Sequence, residues 1–239
     1  MDARRKYRAR PASCQADMEA ALALRGDVFR SGGSDRDAYD GRSTHMLVER
    51  LADGAIVATF RYLLISDPQA LDESYSAQFY GLAPLGNFDG PMVEMGRFCF
   101  RPGVSDPDLF RVAWGSLAQI VVEERAELLF GCSSFAGVDT APYHDAFAML
   151  RDRHIAPKTW LPRIKAPRVF EFARRLGQKA DPKRAMRAMP PLLKTYLMMG
   201  GWVSDHAVVD ADLGTLHVFT GVEVRAIPPA RRRSLLAGV

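Results

Sequence analysis

Two β-rich runs separated by a tight turn set the strongest constraint on this chain. His45 to Arg50 and Ala55 to Ile65 are joined through Ala52-Asp53-Gly54, and the Asp-Gly pair suits the positive φ that hairpin turns require. An antiparallel pair is expected there. Ahead of it, Gln15 to Arg30 carries Ala20, Leu24 and Val28 on one helical row, broadened by Ala21 and Leu22, and Ser31-Gly32-Gly33 stops the helix. After the hairpin, Met92 to Phe100 reads as a third strand, and Asp106 to Arg125 as a helix with Asp106 as N-cap and Pro107 at its first position. Leu128 to Phe135 reads as a buried strand. Helices are expected at Tyr143 to Asp152, Arg168 to Leu176, Lys183 to Met189 and Leu192 to Met199, the last ended by Gly200-Gly201. Strands at Trp202 to Asp210 and Leu216 to Val224 follow, then an Arg-rich tail at Arg231 to Arg233. The order predicts an α/β fold with a mixed, mostly antiparallel central sheet flanked by helices.

A chain of 239 residues with 48% hydrophobic content can bury one substantial core. The longest apolar run, Leu128 to Val138, falls short of the roughly 20 residues of a membrane-spanning helix. The basic start, MDARRKYRAR, leads into Pro-Ala-Ser-Cys rather than the apolar segment of a secretory signal, which predicts no export. Cys14, Cys99 and Cys132 are odd in number and widely spread, as in a reducing cytoplasm, and no local histidine marks one of them as a nucleophile. Glycine-rich nucleotide loops, His-Glu-x-x-His, Cys-x-x-Cys and Gly-x-Ser-x-Gly are all missing, so dinucleotide, triphosphate, zinc and serine-hydrolase chemistry lose support, and no metal is expected.

The net charge of +4 hides an asymmetry. Arg151 to Arg187 holds twelve Lys/Arg against three Asp/Glu, so this stretch carries +9 and the remaining chain −5. Within it, Arg174, Arg175, Lys183, Arg184 and Arg187 crowd around Phe170, Phe172, Leu176, Met186 and Met189. Such a pattern can dock an acidic protein, lie on an anionic membrane, or form a solvated helix face. Nucleic acid is disfavoured, because the segment lacks the interleaved aromatics of a stacking platform and any reading-helix motif.

Three carboxylates, Asp35, Asp37 and Asp40, with Tyr39 among them, follow the glycine turn. They read either as a solvated loop or as a site for a cationic substrate. Arg25 and Arg61 interrupt apolar rows, and a buried arginine needs a carboxylate partner. Glu94 and Arg97 lie three apart in a strand, hence on opposite faces unless a bulge at Gly96 changes the parity. His45 opens a strand and reads alone as a hydrogen-bonded structural histidine or a site residue.

The blocks Leu24-Arg25-Gly26-Asp27-Val28-Phe29, Asp35 to Asp40, His45-Met46-Leu47-Val48, Val57 to Leu64, Glu94-Met95-Gly96-Arg97, Gly131 to Phe135 and Pro190 to Leu197 resemble, in order, those of bacterial ornithine N-acyltransferases. That family is similar in fold to GNAT-type acyltransferases and to acyl-homoserine-lactone synthases. The lactone synthases usually carry a tryptophan soon after the position of Phe29, and this chain has none there. The resemblance implies one GNAT-like domain over 1–239 with a basic helical insertion at about 151–189. It implies acyl carrier protein as thioester donor, L-ornithine as acceptor, usually a 3-hydroxyacyl chain, and no permanently bound cofactor. Glu94 and Arg97 would be catalytic, and Arg25, Phe29, Asp37, Asp40, His45 and Arg61 would line the substrate site. The basic segment would meet the carrier protein or, peripherally, the inner membrane of a cytoplasmic enzyme.

Overall fold

A computed structural model describes residues 5–236. Its elements are β1 (Tyr7–Pro11), α1 (Gln15–Phe29), β2 (Thr44–Arg50), β3 (Ile56–Ile65), β4 (Tyr80–Gly81) and β5 (Met92–Phe100). Then come α2 (Pro107–Glu123), β6 (Leu128–Ala136), α3 (His144–Arg153), β7 (Arg163–Ile164), β8 (Val169–Phe170), α4 (Phe172–Arg175), α5 (Pro182–Ala188) and α6 (Pro191–Met198). β9 (Trp202–Val203), β10 (Ala207–Asp210), β11 (Thr215–Glu223) and α7 (Pro229–Leu236) complete the order. Two compact units result. Unit 1 takes residues 5–64, Val93–Ala126 and 229–236; unit 2 takes Ile65–Met92 and Glu127–Pro228.

In unit 1 the expected hairpin is present, with His45 opposite Arg61 and Met46 opposite Phe60. β1 extends it antiparallel, Tyr7 opposite Arg50, and β5 lies beside β3. β1 went unread in the sequence among Lys6, Arg8 and Arg10; in the structure Tyr7 is buried while Arg8 faces solvent. Helix α2 starts as its cap predicts, the Asp106 side chain accepting from Asp108 N with Pro107 behind it. One of its faces packs Leu109, Val112 and Ala113 onto Tyr7, Val48, Val57 and Ala58.

Helix α1 differs from its expected stripe. Ala21 and Leu24 are buried, but Val28 is exposed, and the inward positions beside them are Asp17 and Arg25. Polar partners, not apolar periodicity, set this rotation: Asp17 is gripped through both oxygens by Arg10, each bond 2.7 Å long. Gly26 sits where α1 touches the turn that follows it, and a Cβ there would lie 2.2 Å from the carbonyl oxygen of Gly33.

In unit 2, β6 and β11 pair antiparallel along their whole length, from Leu128 opposite Glu223 to Ala136 opposite Thr215. β10 pairs with β11, β8 with β10, and β9 with β11. α3, α5 and α6 contribute to a core in which Phe135, Phe147, Phe172, Leu193, Leu216 and Val218 are buried. Two expectations are corrected here. Arg168 to Leu176 is not one helix: Val169 and Phe170 are drawn out as an edge strand on Val208 and Ala207, and only Phe172–Arg175 is helical. Trp202 to Asp210 is not one strand either, because Ser204 Oγ donates to His206 O and accepts from Phe219 N, turning the chain between β9 and β10. Three 3₁₀ turns, Pro68–Glu73, Ser76–Gln78 and Ala83–Asn87, occupy a stretch whose sequence showed no periodicity. Among the described residues no helix is long and apolar enough to cross a membrane.

Gly26→Ala should destabilise the protein by about 1–3 kcal/mol through overpacking against fixed backbone, although alanine is favoured over glycine in a helix by roughly 1 kcal/mol. Urea unfolding of the two proteins reads the sign directly, and a more stable variant would contradict the close approach.

Candidate active site

Helix α1 delivers Arg25 into the interior of unit 1, where the residue is 1% exposed. Its Nε donates to Asp35 Oδ2 at 2.8 Å, Nη1 to Asp40 Oδ1 at 2.5 Å, and Nη2 to the Asp35 carbonyl oxygen at 2.5 Å. From β3, Arg61 reaches the same loop: Nη1 and Nη2 hold Asp37 Oδ1 and Oδ2 at 2.5 and 2.8 Å, and Nη1 also meets Asp40 Oδ1 at 2.5 Å. From β5, Arg97 bonds Asp35 Oδ2 at 2.9 Å and Asp37 Oδ2 at 3.1 Å. Arg30 Nε, at the end of α1, completes Asp35 through Oδ1 at 3.2 Å. Four guanidinium groups thus surround three carboxylates. Charge-assisted bonds of this kind are strong only because both partners are desolvated together.

The backbone is drawn in as well. Asp40 Oδ2 accepts from Asp37 N, and Asp37 Oδ1 from Tyr39 N, both at 2.9 Å. Burial alone would raise the Asp40 carboxyl, but its bonds to Arg25 and the Asp37 amide, with the charge of Arg61, bring it down to about 2. Asp37 follows the same logic, burial being outweighed by Arg61 and Arg97, and it too is lowered.

This geometry changes the role expected of the acidic loop. Asp40 is saturated by Arg25 and Arg61, and the Asp35 side chain is fully buried against three arginines. Neither presents a free carboxylate to an ammonium group. Asp37 alone of the three has a partly exposed side chain, 21%, and both of its oxygens are already held by Arg61. The pairing of Arg25 and Arg61 with these carboxylates is the one their burial required.

His45 lies inside the same network. Its Nε2 is 3.2 Å from Asp40 O and 3.6 Å from Asp40 Oδ1, and burial pushes its pKa down against the pull of Asp40. A neutral imidazole bonded to backbone holds the loop in place. Phe29, at the end of α1, lies with its ring centroid 5.9 Å from the Arg97 guanidinium carbon. Tyr39 lies between Arg42 and Arg61, whose guanidinium carbons are 5.6 and 5.9 Å from its ring centroid.

Glu94 is 6% exposed. Burial raises the Tyr39 hydroxyl, and the negative charge of Glu94 raises it further. A bulge at Gly96 was the condition for Glu94 and Arg97 to share a side; the backbone departs from strand geometry at Arg97 itself, with φ +55 in the left-handed region. From there Arg97 reaches the aspartate cluster, bonding Asp35 and Asp37. Arg30 escaped the sequence reading as a site residue, because only the fold shows it sharing Asp35 with Arg25 and Arg97. Cys99 is a buried thiol raised to about 12 by burial, unsuited to nucleophilic attack.

The family model described as "Acetyltransferase (GNAT) domain" matches residues 20–115, a span that includes every member of this network. An L-ornithine N(alpha)-acyltransferase of Rhodobacter capsulatus is 32% identical over 178 residues, covering 74% of this chain and 68% of the relative. The chain belongs to the L-ornithine N(alpha)-acyltransferase family. A second member, from Agrobacterium fabrum, is 28% identical over 201 residues, 81% of this chain and 68% of its own length. Among solved structures, FeeM, an N-acyl amino acid synthase from uncultured soil microbes, aligns with TM-score 0.50 at 10% identity, covering 92% of this chain and 91% of its own. The fold is that of the GNAT-like acyltransferases.

The network makes stability depend on acid. Asp40 at about 2, and Asp37 lowered with it, bind fewer protons folded than unfolded. Their contribution is complete above the ordinary aspartate value, near 3.8, and is lost as pH falls through the folded value. Unfolding midpoints in urea should therefore decline from about pH 5 towards pH 2.5, more shallowly in Asp40→Asn than in the parent; parallel declines would remove Asp40 as a source.

Proposed function

We propose that this protein transfers a fatty acyl group, usually 3-hydroxylated, from the thioester of acyl carrier protein to the α-amine of L-ornithine, giving a lyso-ornithine lipid. The observation that carries the reading is the 32% identity, over 178 residues, to a relative named as an L-ornithine N(alpha)-acyltransferase. No permanently bound cofactor is needed, since the donor brings its own activated carbonyl.

In the proposed mechanism the amine attacks the thioester carbon and forms a C–N bond. A tetrahedral oxyanion follows, and its collapse breaks the C–S bond to release the pantetheine thiol. The attacking nitrogen is mostly an ammonium at neutral pH, so a base must take its proton, directly or through water. Glu94, buried beside Tyr39, is that base. Backbone N–H groups near Arg97, where φ +55 redirects the chain, are the proposed oxyanion donors, an effect worth roughly 3 kcal/mol each. Arg25, Arg61 and Arg97 stay protonated and position the loop carrying Asp37 and Asp40; Phe29 and His45 support the substrate side of the same network.

The basic segment is proposed as the docking surface for the acidic carrier. Arg174, Arg175, Lys183, Arg184 and Arg187 are all exposed, whereas Phe172, Leu176 and Met189 are buried in the unit 2 core, leaving Met186 as the exposed apolar residue among them. An electrostatic contact is thereby favoured over insertion into an inner-membrane surface, which needs an apolar face.

Two measurements test this reading. Purified protein given 3-hydroxyacyl carrier protein should acylate ornithine and leave S-adenosylmethionine untouched, and Glu94→Gln should lose about 100-fold or more in turnover with folding unchanged; near-normal turnover would dismiss Glu94 as base. Charge reversal at Lys183, Arg184 and Arg187 should raise the KM for the carrier protein and flatten its salt dependence, with stability altered by only roughly 0.5 kcal/mol. An unmoved KM would return these residues to a solvated helix face.

A further inference from the structure

Unit 2 contains a concave surface remote in sequence from the aspartate loop. β4 and β7 form a two-stranded sheet, Tyr80 opposite Ile164 and Gly81 opposite Arg163. Lys165 Nζ donates to Ala77 O at 2.6 Å, and Ala166 N to Phe79 O at 2.9 Å, so the segment carrying Arg163 is pinned at several points. Gly81 permits the close approach, because a Cβ there would lie 3.2 Å from Arg163 Cβ. Beside this pair opens a cavity of about 610 Å³, lined by Ala83, Pro84 and Asn87 together with Lys158, Thr159, Leu161 and Arg163. Next to the lining residues in sequence, the Phe88 and Trp160 rings meet edge to face at 5.1 Å, with the Arg225 guanidinium carbon 6.0 Å from the Phe88 centroid.

The lining contains no Asp or Glu. Lys158 and Arg163 have no ion-pair partner among the described residues, in contrast to the arginines of unit 1. Two unpaired cations in one concavity repel each other and focus a positive potential, which an anion entering the site relieves. The other polar groups, the Asn87 amide and the Thr159 hydroxyl, supply hydrogen-bond donors. A carboxylate offers two oxygens; a phosphate offers the three or more that a guanidinium fork, an ammonium, an amide and a hydroxyl can divide among them. The volume exceeds that of a bare phosphate and matches small-molecule sites, and Pro84 and Leu161 give it an apolar wall.

We infer that this cavity binds the phosphate of an organic phosphate ester, with Lys158 and Arg163 as anion ligands and the Pro84–Leu161 wall taking the attached organic group. The inference stands on unit 2 alone and does not depend on the acyltransferase reading. Such a phosphate has two sources of the same chemistry: the phosphopantetheine arm of a thioester donor, or a glycerophospholipid headgroup.

Calorimetric titration of the whole protein with inorganic phosphate, sn-glycerol 3-phosphate and 4′-phosphopantetheine tests it. Saturable binding of an organic ester, tighter than that of inorganic phosphate, is expected. Lys158→Gln and Arg163→Gln should each weaken it about tenfold or more, while Arg111→Gln, a surface cation in unit 1, should not. Preference for 4′-phosphopantetheine points to the donor arm, and preference for glycerol phosphate to the lipid headgroup. The proposal is overturned if no ester saturates, or if the Lys158 and Arg163 variants bind as the parent does. Loss of acyl transfer to ornithine with this binding intact would instead count against the enzymatic reading.

Discussion

A fully buried guanidinium is the constraint around which unit 1 is arranged. Arg25 carries a charge whose removal from water costs several kcal/mol unless its hydrogen-bonding edge is matched. Asp35 and Asp40 provide that match, and holding them in place fixes the loop between α1 and β2. Because Asp35 and Asp37 are shared with Arg97, and Asp37 and Asp40 with Arg61, the same requirement joins a helix, a loop and two strands. Net stabilisation from such a cluster is modest, since attraction mainly offsets desolvation. Its contribution is definition: few other placements of α1 would satisfy so many partners at once.

For chemistry, this moves attention from the acidic loop to what the loop supports. Carboxylates already matched by four arginines give a free ammonium little to bind, so their influence on a reaction runs through position and field. Glu94 lies at the border of that field, beside Tyr39, and Arg97 departs from regular strand geometry next to it.

The parts of the fold governed by local rules were legible. The β2–β3 hairpin follows from its Asp-Gly turn, and α2 from Asp106 and Pro107. Elements decided by distant partners were not. Tyr7–Pro11 becomes a strand because β2 offers it an edge, and Val169-Phe170 leaves the helical pattern because β10 does the same. In the site, the need of Arg25 and Arg61 for carboxylates followed from the cost of burial, and the available acids were few and close in sequence. Which arginine takes which aspartate, and that Arg30 and Arg97 join them, depends on tertiary distances and on one left-handed residue. The cavity at Lys158 and Arg163 had no local signature at all, since part of its lining lies more than seventy residues earlier, at Pro84 and Asn87.

The two units are interleaved along the chain, and this shapes the order in which they can be assembled. Unit 1 draws on three separate stretches, the last of them α7, which packs on α2. Between those two helices the ribosome adds the whole of the long second stretch of unit 2, Glu127–Pro228. At roughly 5–20 residues per second, several seconds pass in which α2 is present and its partner is not. During that interval the face of α2 awaiting α7 is open, and loop closure over so long a span is slow compared with local hairpin formation. The β2–β3 hairpin and its arginine-bound loop need only the first 64 residues plus β5, so the charged cluster can form well before α7 reaches α2.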